Sequence, residues 1–327
     1  MKAGFYERTG PAAEVLHLGE RPVPQPGLGE VRVRVHASAV NPADCNRRAG
    51  RGWAMEYPLV IPNSDGAGVV DAVGPGADPT LYGRRVWLYN GQRGRAFGTA
   101  AEWIALEAGL VTPLPDEIGF DAGATLGIPC MTAWHCVFTD GPVEGRTVLV
   151  TGGAGAVGHV AIQLARWGGA RVIATVSGEA KRRHALAAGA QAVIDRRTED
   201  VAARVLELTR GEGVDRIVEV DFGGNLDTSL RVIRPNGCIA AYASRGDPTP
   251  RVPFVELSRR NVTVHAMLLP GTPPAARQDA QRGLTRWLLG GTARLTVAQV
   301  FPLDEIVRAH EAVEAGTKIG TVVVRCA

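Results

Sequence analysis

The stretch 147–169, TVLVTGGAGAVGHVAIQLARWGG, leaves few folds open to this chain. An apolar strand candidate (Val148 to Val150) runs into Gly153, Gly155 and Gly158 at GxGxxG spacing, and a helical stripe of Val157, Val160, Ala161, Leu164 and Ala165 follows at once. Each glycine has a mechanical task in such a turn. The first permits the tight reversal, the second lets a diphosphate approach the backbone, and the third allows the helix to pack close to the strand. The N–H groups at the helix start, with no partner inside the helix, then face the phosphates. A dinucleotide site is the better reading than a plain packing turn.

The surrounding sequence supports that frame. From about residue 122, apolar strand candidates at Val148–Val150, Val172–Val176, Ala192–Ile194, Ile217–Val220, Ile239–Tyr242 and Val262–Ala266 alternate with amphipathic helices, which predicts a Rossmann-type, doubly wound parallel sheet over 122–266. Before it, VRVRVHASAV alternates Val31, Val33 and Val35 against Arg32, Arg34 and His36, and further short strands are expected near Val69–Val73, Arg85–Tyr89 and Glu102–Leu106. That pattern predicts an antiparallel, partly barrel-shaped region over 1–121. The last stretch, 267–327, holds a helix around Trp287, a second helix with Asp304 as its N-cap, and a terminal strand in GTVVVRCA. It is too short for a third domain and is assigned back to the first. The α/β chain of 327 residues is thus expected to form two lobes with a cleft.

Composition narrows the class of partner. Lys and Arg number 36 against 33 Asp and Glu, a net +3 spread along the chain, with no polybasic arm or aromatic-plus-basic module, so nucleic acid is an unfavoured partner. Five cysteines without a CxxC pair fit a reducing compartment. No apolar run approaches the roughly 20 residues of a membrane span, and MKAGFYERTG lacks a signal-peptide core. A soluble, cytoplasmic protein is expected.

The choice of dinucleotide falls at the end of the second strand, in VIATVSGEAKRRHAL. An NAD site would place an acid there for the ribose hydroxyls, whereas this strand ends in Thr175, Val176 and Ser177, followed by Lys181, Arg182 and Arg183, with Arg196 and Arg197 one strand later. Cations at that place favour the 2′-phosphate of NADPH through charge-assisted hydrogen bonds. Glu179 is the opposing residue, and Arg182 and Arg183 also read as the solvated face of a helix.

Several segments together resemble a known family. MKAGFYERTGPAAEVL, VHASAVNPADCNRRAG, PLVIPNSDGAGVVDAVGPGA, TLGIPCMTAWHCV, the glycine loop, ALAAGAQAVIDRR and AHEAVEAGTKIGTVVV are similar, in order and over the whole chain, to the zinc-independent quinone oxidoreductases of the medium-chain dehydrogenase/reductase superfamily, zeta-crystallin among them. The resemblance implies a GroES-like catalytic domain made from both chain ends, a Rossmann domain inserted between them, NADPH as cofactor and a homodimer. It implies that Thr132 meets the nicotinamide end, that the backbone at Gly155, Ala156 and Val157 meets the diphosphate, and that Lys181 and Arg196 meet the 2′-phosphate, with Gly153, Gly158 and Ser177 counted among the cofactor-binding residues. Tyr242, Ala243 and Ser244 would lie beside the cofactor, Lys318 would reach it from the C-terminal segment, and Asn41 would face the substrate as the catalytic candidate.

Where zinc-dependent relatives carry Cys, His and Cys ligands, this chain has Asn41, Ser64 and Ile128, so no metal is expected. Cys130 and Cys136, like His135, His159 and His265, read as packing residues. The chain departs from many relatives at Cys45 and Asn46, where an aromatic residue is common, and at Asn63, where glycine is common. Trp53, Met55 or Tyr57 is then expected to supply the apolar wall of the substrate site.

Without Lewis-acid activation, the acceptor must already be electron-poor. The implied activity is NADPH-dependent reduction of quinones by hydride or electron transfer, with Asn41 either donating to the acceptor oxygen or capping the turn before Pro42. Reduction of α,β-unsaturated aldehydes or ketones is the alternative within enzymes. An NADPH-binding structural or RNA-binding protein is the alternative outside them.

Overall fold

The computed structural model describes residues 1–52 and 54–326. Trp53, one of the three candidates for the apolar wall, lies outside the described residues. The chain divides into two compact units, Met1–Ile128 with Leu295–Ala327, and Pro129–Arg294.

The first unit is built on the eleven-residue strand Glu30–Val40, whose valines 31, 33 and 35 are buried while Arg34 is exposed, as the alternation predicts. It pairs antiparallel with Asp65–Val73 and Trp103–Glu107, and antiparallel with the C-terminal strand Thr321–Arg325. Register shifts at Arg32/Val33 and Val35/Ala37 mark bulges against Asp65–Val73, a device that bends a strand. Arg85–Leu88 and Val111–Pro113 extend the seven-stranded sheet on one side. On the other side Val297–Pro302 runs parallel to Thr321–Arg325, an exception to the expected antiparallel pairing.

The second unit holds a six-stranded parallel sheet. In chain order its strands are Thr147–Val150, Arg171–Val176, Ala192–Asp195, Val214–Glu219, Ile233–Ala241 and Thr263–Ala266, and their order across the sheet is third, second, first, fourth, fifth, sixth. That is the doubly wound order, which reverses direction between the first and fourth strands and so opens a ligand crevice at their carboxyl ends. Leu149, Ile173, Ile194, Ile217 and Ile239, one from each of five strands, share a core with Ala202, Val205 and Val232.

The unit boundaries differ from the expected ones. Residues 267–294, assigned from sequence to the first domain, belong to the second unit, and 122–128 belong to the first. The cause is packing. The Pro274–Leu289 helix buries Ala280, Leu284, Trp287 and Leu288, and its Gly283 lies so close under the Trp134 ring that a Cβ there would fall 1.9 Å from a ring carbon. Gln163 then binds both the N–H of Arg294 (2.8 Å) and its carbonyl (3.0 Å), holding the end of this segment to the Ala156–Trp167 helix. Asp304 is not a cap either. The Ile306–Glu314 helix has Glu305 at its N-cap position and no side-chain cap bond, because the preceding residues Leu303–Glu305 already form a 3₁₀ turn.

Candidate functional site

Each glycine of the loop has a measurable reason to be one. A Cβ on Gly153 would stand 2.9 Å from the Ala174 Cβ and 3.0 Å from Ile162, so the loop rests on the neighbouring strand and on its own helix. A Cβ on Gly158 would stand 2.3 Å from the Gly152 carbonyl oxygen, so the first helical turn packs directly on the loop backbone. Gly155 is the N-cap of the twelve-residue Ala156–Trp167 helix; no side chain caps this end, and a Cβ on Gly155 would touch only the Gly152 oxygen at 3.4 Å. The result is a bare, positively polarised helix terminus with room for close approach, which fits an anionic diphosphate at Ala156, Val157 and Gly158.

At the end of the second strand, Ser177 Oγ and Lys181 Nζ stand 3.4 Å apart. Arg196 is exposed, its backbone N–H donating to the Val176 carbonyl at 3.0 Å. Thr132 is buried on the Ile128–Phe138 helix. Tyr242 is half-buried just past the end of the fifth strand, and burial of its hydroxyl holds it well above the usual phenol range. The Ala243 carbonyl accepts Phe222 N–H (2.9 Å), and Ser244 Oγ accepts Gly223 N–H (2.9 Å) while donating to the Asp247 carbonyl. The Ser244 hydroxyl is therefore engaged in fixing the loop around the Phe222–Val232 helix.

Sequence reasoning missed a buried acid at this end of the sheet. Glu219, the last residue of the fourth strand, accepts from Thr151 Oγ (2.8 Å), Asp221 N–H (2.7 Å) and Asn225 Nδ2 (2.7 Å), and burial raises its carboxyl above the usual range. It joins the entry of the glycine loop to the neighbouring helix. An acid closing the apolar run RIVE was the available signal.

In the first unit Asn41 is a helix cap and more. It precedes Pro42–Arg48, its backbone N–H donates to Asp44 (2.8 Å), and its amide nitrogen donates to Asp65 Oδ2 (2.7 Å). The same Asp65 oxygen accepts Ile128 N–H at 2.8 Å, and Ser64 Oγ donates to Asp44 at 2.9 Å. All three positions that would carry zinc ligands in relatives are thus tied, through side chain or backbone, to two buried carboxyls. Asp65 is fully buried; burial, reinforced by Asp44, holds it well above the usual carboxylate range, and its Oδ1 has no hydrogen-bond partner among the described residues. Among the described residues, no three His, Cys, Asp or Glu side chains are grouped so as to hold a metal ion.

The two departures at Cys45 and Asn63 belong to one buried network. Asn63 has φ +71°, a backbone state that suits glycine and that asparagine tolerates. Its amide nitrogen donates to Ser38 Oγ (3.0 Å) and its oxygen meets His310 Nε2 (3.1 Å). Thr99 Oγ1 donates to the Asp65 carbonyl (2.7 Å), so its own contact with Ser38 (2.8 Å) must be one it accepts. His310 Nε2 therefore carries hydrogen, and Nδ1 faces the Cys45 thiol at 3.6 Å. Burial pushes the Cys45 thiol up to about 12 and His310 down to about 3, so neither is charged near neutrality. Lys318 donates to the Gly320 carbonyl (2.6 Å), and burial lowers its ammonium below the usual range. Met55 and Tyr57 lie half-buried in the loop after Pro42–Arg48.

Comparisons with known proteins agree with this geometry. The description Alcohol dehydrogenase GroES-like domain matches residues 27–116, and Zinc-binding dehydrogenase matches 156–287. The quinone oxidoreductase of Lama guanicoe is 30% identical over 301 residues, covering 91% of this chain and 89% of its own. A solved mycobacterial structure complexed with NADPH is 30% identical with a TM-score of 0.88, covering 99% of this chain and 100% of its own. The Escherichia coli quinone oxidoreductase complexed with NADPH is 26% identical with a TM-score of 0.87, again over 99% and 100%.

Proposed function

Because the chain belongs to the quinone oxidoreductases of the medium-chain dehydrogenase/reductase superfamily, we propose that it reduces quinones with NADPH and without a metal. Its two units are the GroES-like and Rossmann domains of that superfamily, and it is an oxidoreductase. The observation that carries the cofactor reading is the uncapped helix terminus at Gly155, with Gly158 packed on Gly152, followed one strand later by Ser177 and Lys181 rather than an acid.

When bound, NADPH supplies a hydride from its nicotinamide, and a quinone that takes this hydride with one proton from solvent becomes a hydroquinone. The chain's own work is binding and orientation. The loop holds the diphosphate, Lys181 and Ser177 the 2′-phosphate, and Thr132, Tyr242 and Lys318 the remainder by analogy with relatives. One Asn41 N–H is spent on Asp65; the amide's second N–H is the donor for the acceptor oxygen. The metal-free reading is supported by the donor set, since Asn41 and Ser64 are engaged with carboxyls and Ile128 offers only backbone.

The test is NADPH consumption on an ortho-quinone and on a 2-alkenal, each with and without a chelator. Turnover of the quinone that exceeds that of the alkenal and survives chelation is expected. Preference for the alkenal would transfer the assignment to enone reduction, and loss on chelation with recovery on zinc would overturn the metal-free reading.

A homodimer is proposed through the edge strand Thr263–Ala266, which pairs on one side only. Three of its four residues are exposed, as are Phe254, Val255 and Leu268 on the segments flanking it, an apolar set around an unpaired edge that favours a second copy. Light scattering should give twice the monomer mass, and Val264→Lys should shift it to one. A cytoplasmic location accords with five free, buried cysteines and with the lack, among the described residues, of any helix long and apolar enough to cross a membrane.

A further inference from the structure

The geometry points to Arg197, rather than its neighbour Arg196, as the residue that selects the phosphorylated form of the dinucleotide, with Asp195 as the positioning residue that places it. This rests on the NADPH reading above and refines it.

The second and third strands of the parallel sheet end side by side, with Val176 and Asp195 in register. Asp195 ties the two loops that follow. Its Oδ2 accepts Gly178 N–H (2.9 Å) and its Oδ1 accepts Arg197 N–H (3.1 Å). Gly178 has φ +95° and no side chain, and an Arg197 guanidinium nitrogen lies 4.0 Å from the point where a Cβ on Gly178 would stand. At the residue before the same glycine, Lys181 Nζ approaches Ser177 Oγ at 3.4 Å. A hydroxyl, an ammonium and a guanidinium therefore border one bare backbone position at the carboxyl end of the strands, where open α/β sheets bind their ligands. The set matches a phosphate monoester, which takes charge-assisted bonds from planar and point cations together.

The other cations nearby are differently occupied. Arg182 is paired with Glu199 at 2.8 Å and Glu179 at 3.8 Å and also donates to the Val193 carbonyl. Glu179, the acid that sequence placed in opposition, is thus turned toward Arg182. Arg183, Arg196 and Arg197 are all exposed, but of the three it is the Arg197 guanidinium that stands beside the bare Gly178 position. Asp195 itself is an anion beside the site, but both its oxygens are engaged by backbone N–H groups, which hold its carboxyl below the usual range.

The experiment is calorimetric titration of the full chain with NADPH, NADH, 2′,5′-ADP and 5′-AMP. Arg197→Ala is expected to weaken NADPH and 2′,5′-ADP by about tenfold or more, leaving NADH and 5′-AMP within about twofold, with Arg197→Lys in between. Arg196→Ala should lose less than Arg197→Ala. Asp195→Asn, which keeps one acceptor oxygen, should weaken the two phosphorylated probes selectively; a merely structural role would weaken all four. The inference is overturned if Arg196→Ala shows the larger selective loss, or if Arg197→Ala weakens all four probes equally. If the unmodified protein itself binds NADPH no better than NADH, the cofactor reading fails instead.

Discussion

Gly158→Ala is expected to cost at least about a hundredfold in NADPH affinity and, as an overpacked site, about 1–3 kcal/mol in stability. The reason is space alone. Gly158 has an ordinary helical backbone that alanine adopts freely, yet the new Cβ would meet Gly152 O at 2.3 Å, Gly152 C at 2.9 Å and Gly153 Cα at 3.0 Å. All three are backbone atoms of the phosphate-binding loop, so relief requires moving the loop itself. Gly155→Ala separates the two effects. Its Cβ meets only one oxygen at 3.4 Å, so the protein should remain as stable as the parent while the methyl obstructs the diphosphate. Fluorescence titration with NADPH beside a thermal melt reads both quantities. A Gly155→Ala protein that binds NADPH like the parent would remove the diphosphate from this loop.

The second large effect is on stability in acid. Burial, with the stacked His184 ring 3.9 Å away, lowers His159 to about 4, and burial lowers His310 to about 3. An extra proton on His310 would sit on Nδ1, facing only a thiol and near the Arg48 cation. The unfolded chain takes up these protons near pH 6.5 while the folded one does not, so each ring contributes stability that is present at pH 7 and falls as pH drops through the window from about 6.5 to the folded value. Between pH 7 and pH 5 the loss is about 2 kcal/mol for each ring. The buried acids Asp44, Asp65 and Glu219, all raised, act in the opposite sense, their stabilising protons being lost as pH rises. The measurement is therefore a difference. Urea unfolding at pH 7 and pH 5 should show a smaller drop for His310→Gln and for His159→Gln than for the parent; identical drops would mean that these rings are already charged in the folded protein.

How far the sequence could be read depended on the range of the interactions. The parallel sheet was legible because its signals are local: a strand of Val148–Val150, a glycine loop and a helical stripe lie within two dozen residues. The boundary at 294 was not, since the stripe of the Pro274–Leu289 helix states only that it needs a partner, and the partner, Trp134, is set by tertiary packing. Asn41 carries two candidate roles in the sequence, and in the structure the cap stands beside its bond to Asp65. The polar network escaped altogether, because Cys45 and His310 stand 265 positions apart and nothing local to either residue names the other as its partner. Arg196 and Arg197 are adjacent and chemically identical, so only the bend imposed by Asp195 distinguishes them.

The buried series from His310 through Asn63, Ser38 and Thr99 to the Asp65 carbonyl has its polarity dictated at one terminus, because a carbonyl has no hydrogen to give. Every member must then hand its hydrogen onward in the same sense, like links in a one-way relay. Such positions are not free to drift singly: losing one hydroxyl strands a donor on one side and an acceptor on the other. Asparagine at 63 and histidine at 310 should accordingly be inherited together, or exchanged together for a glycine and an apolar residue.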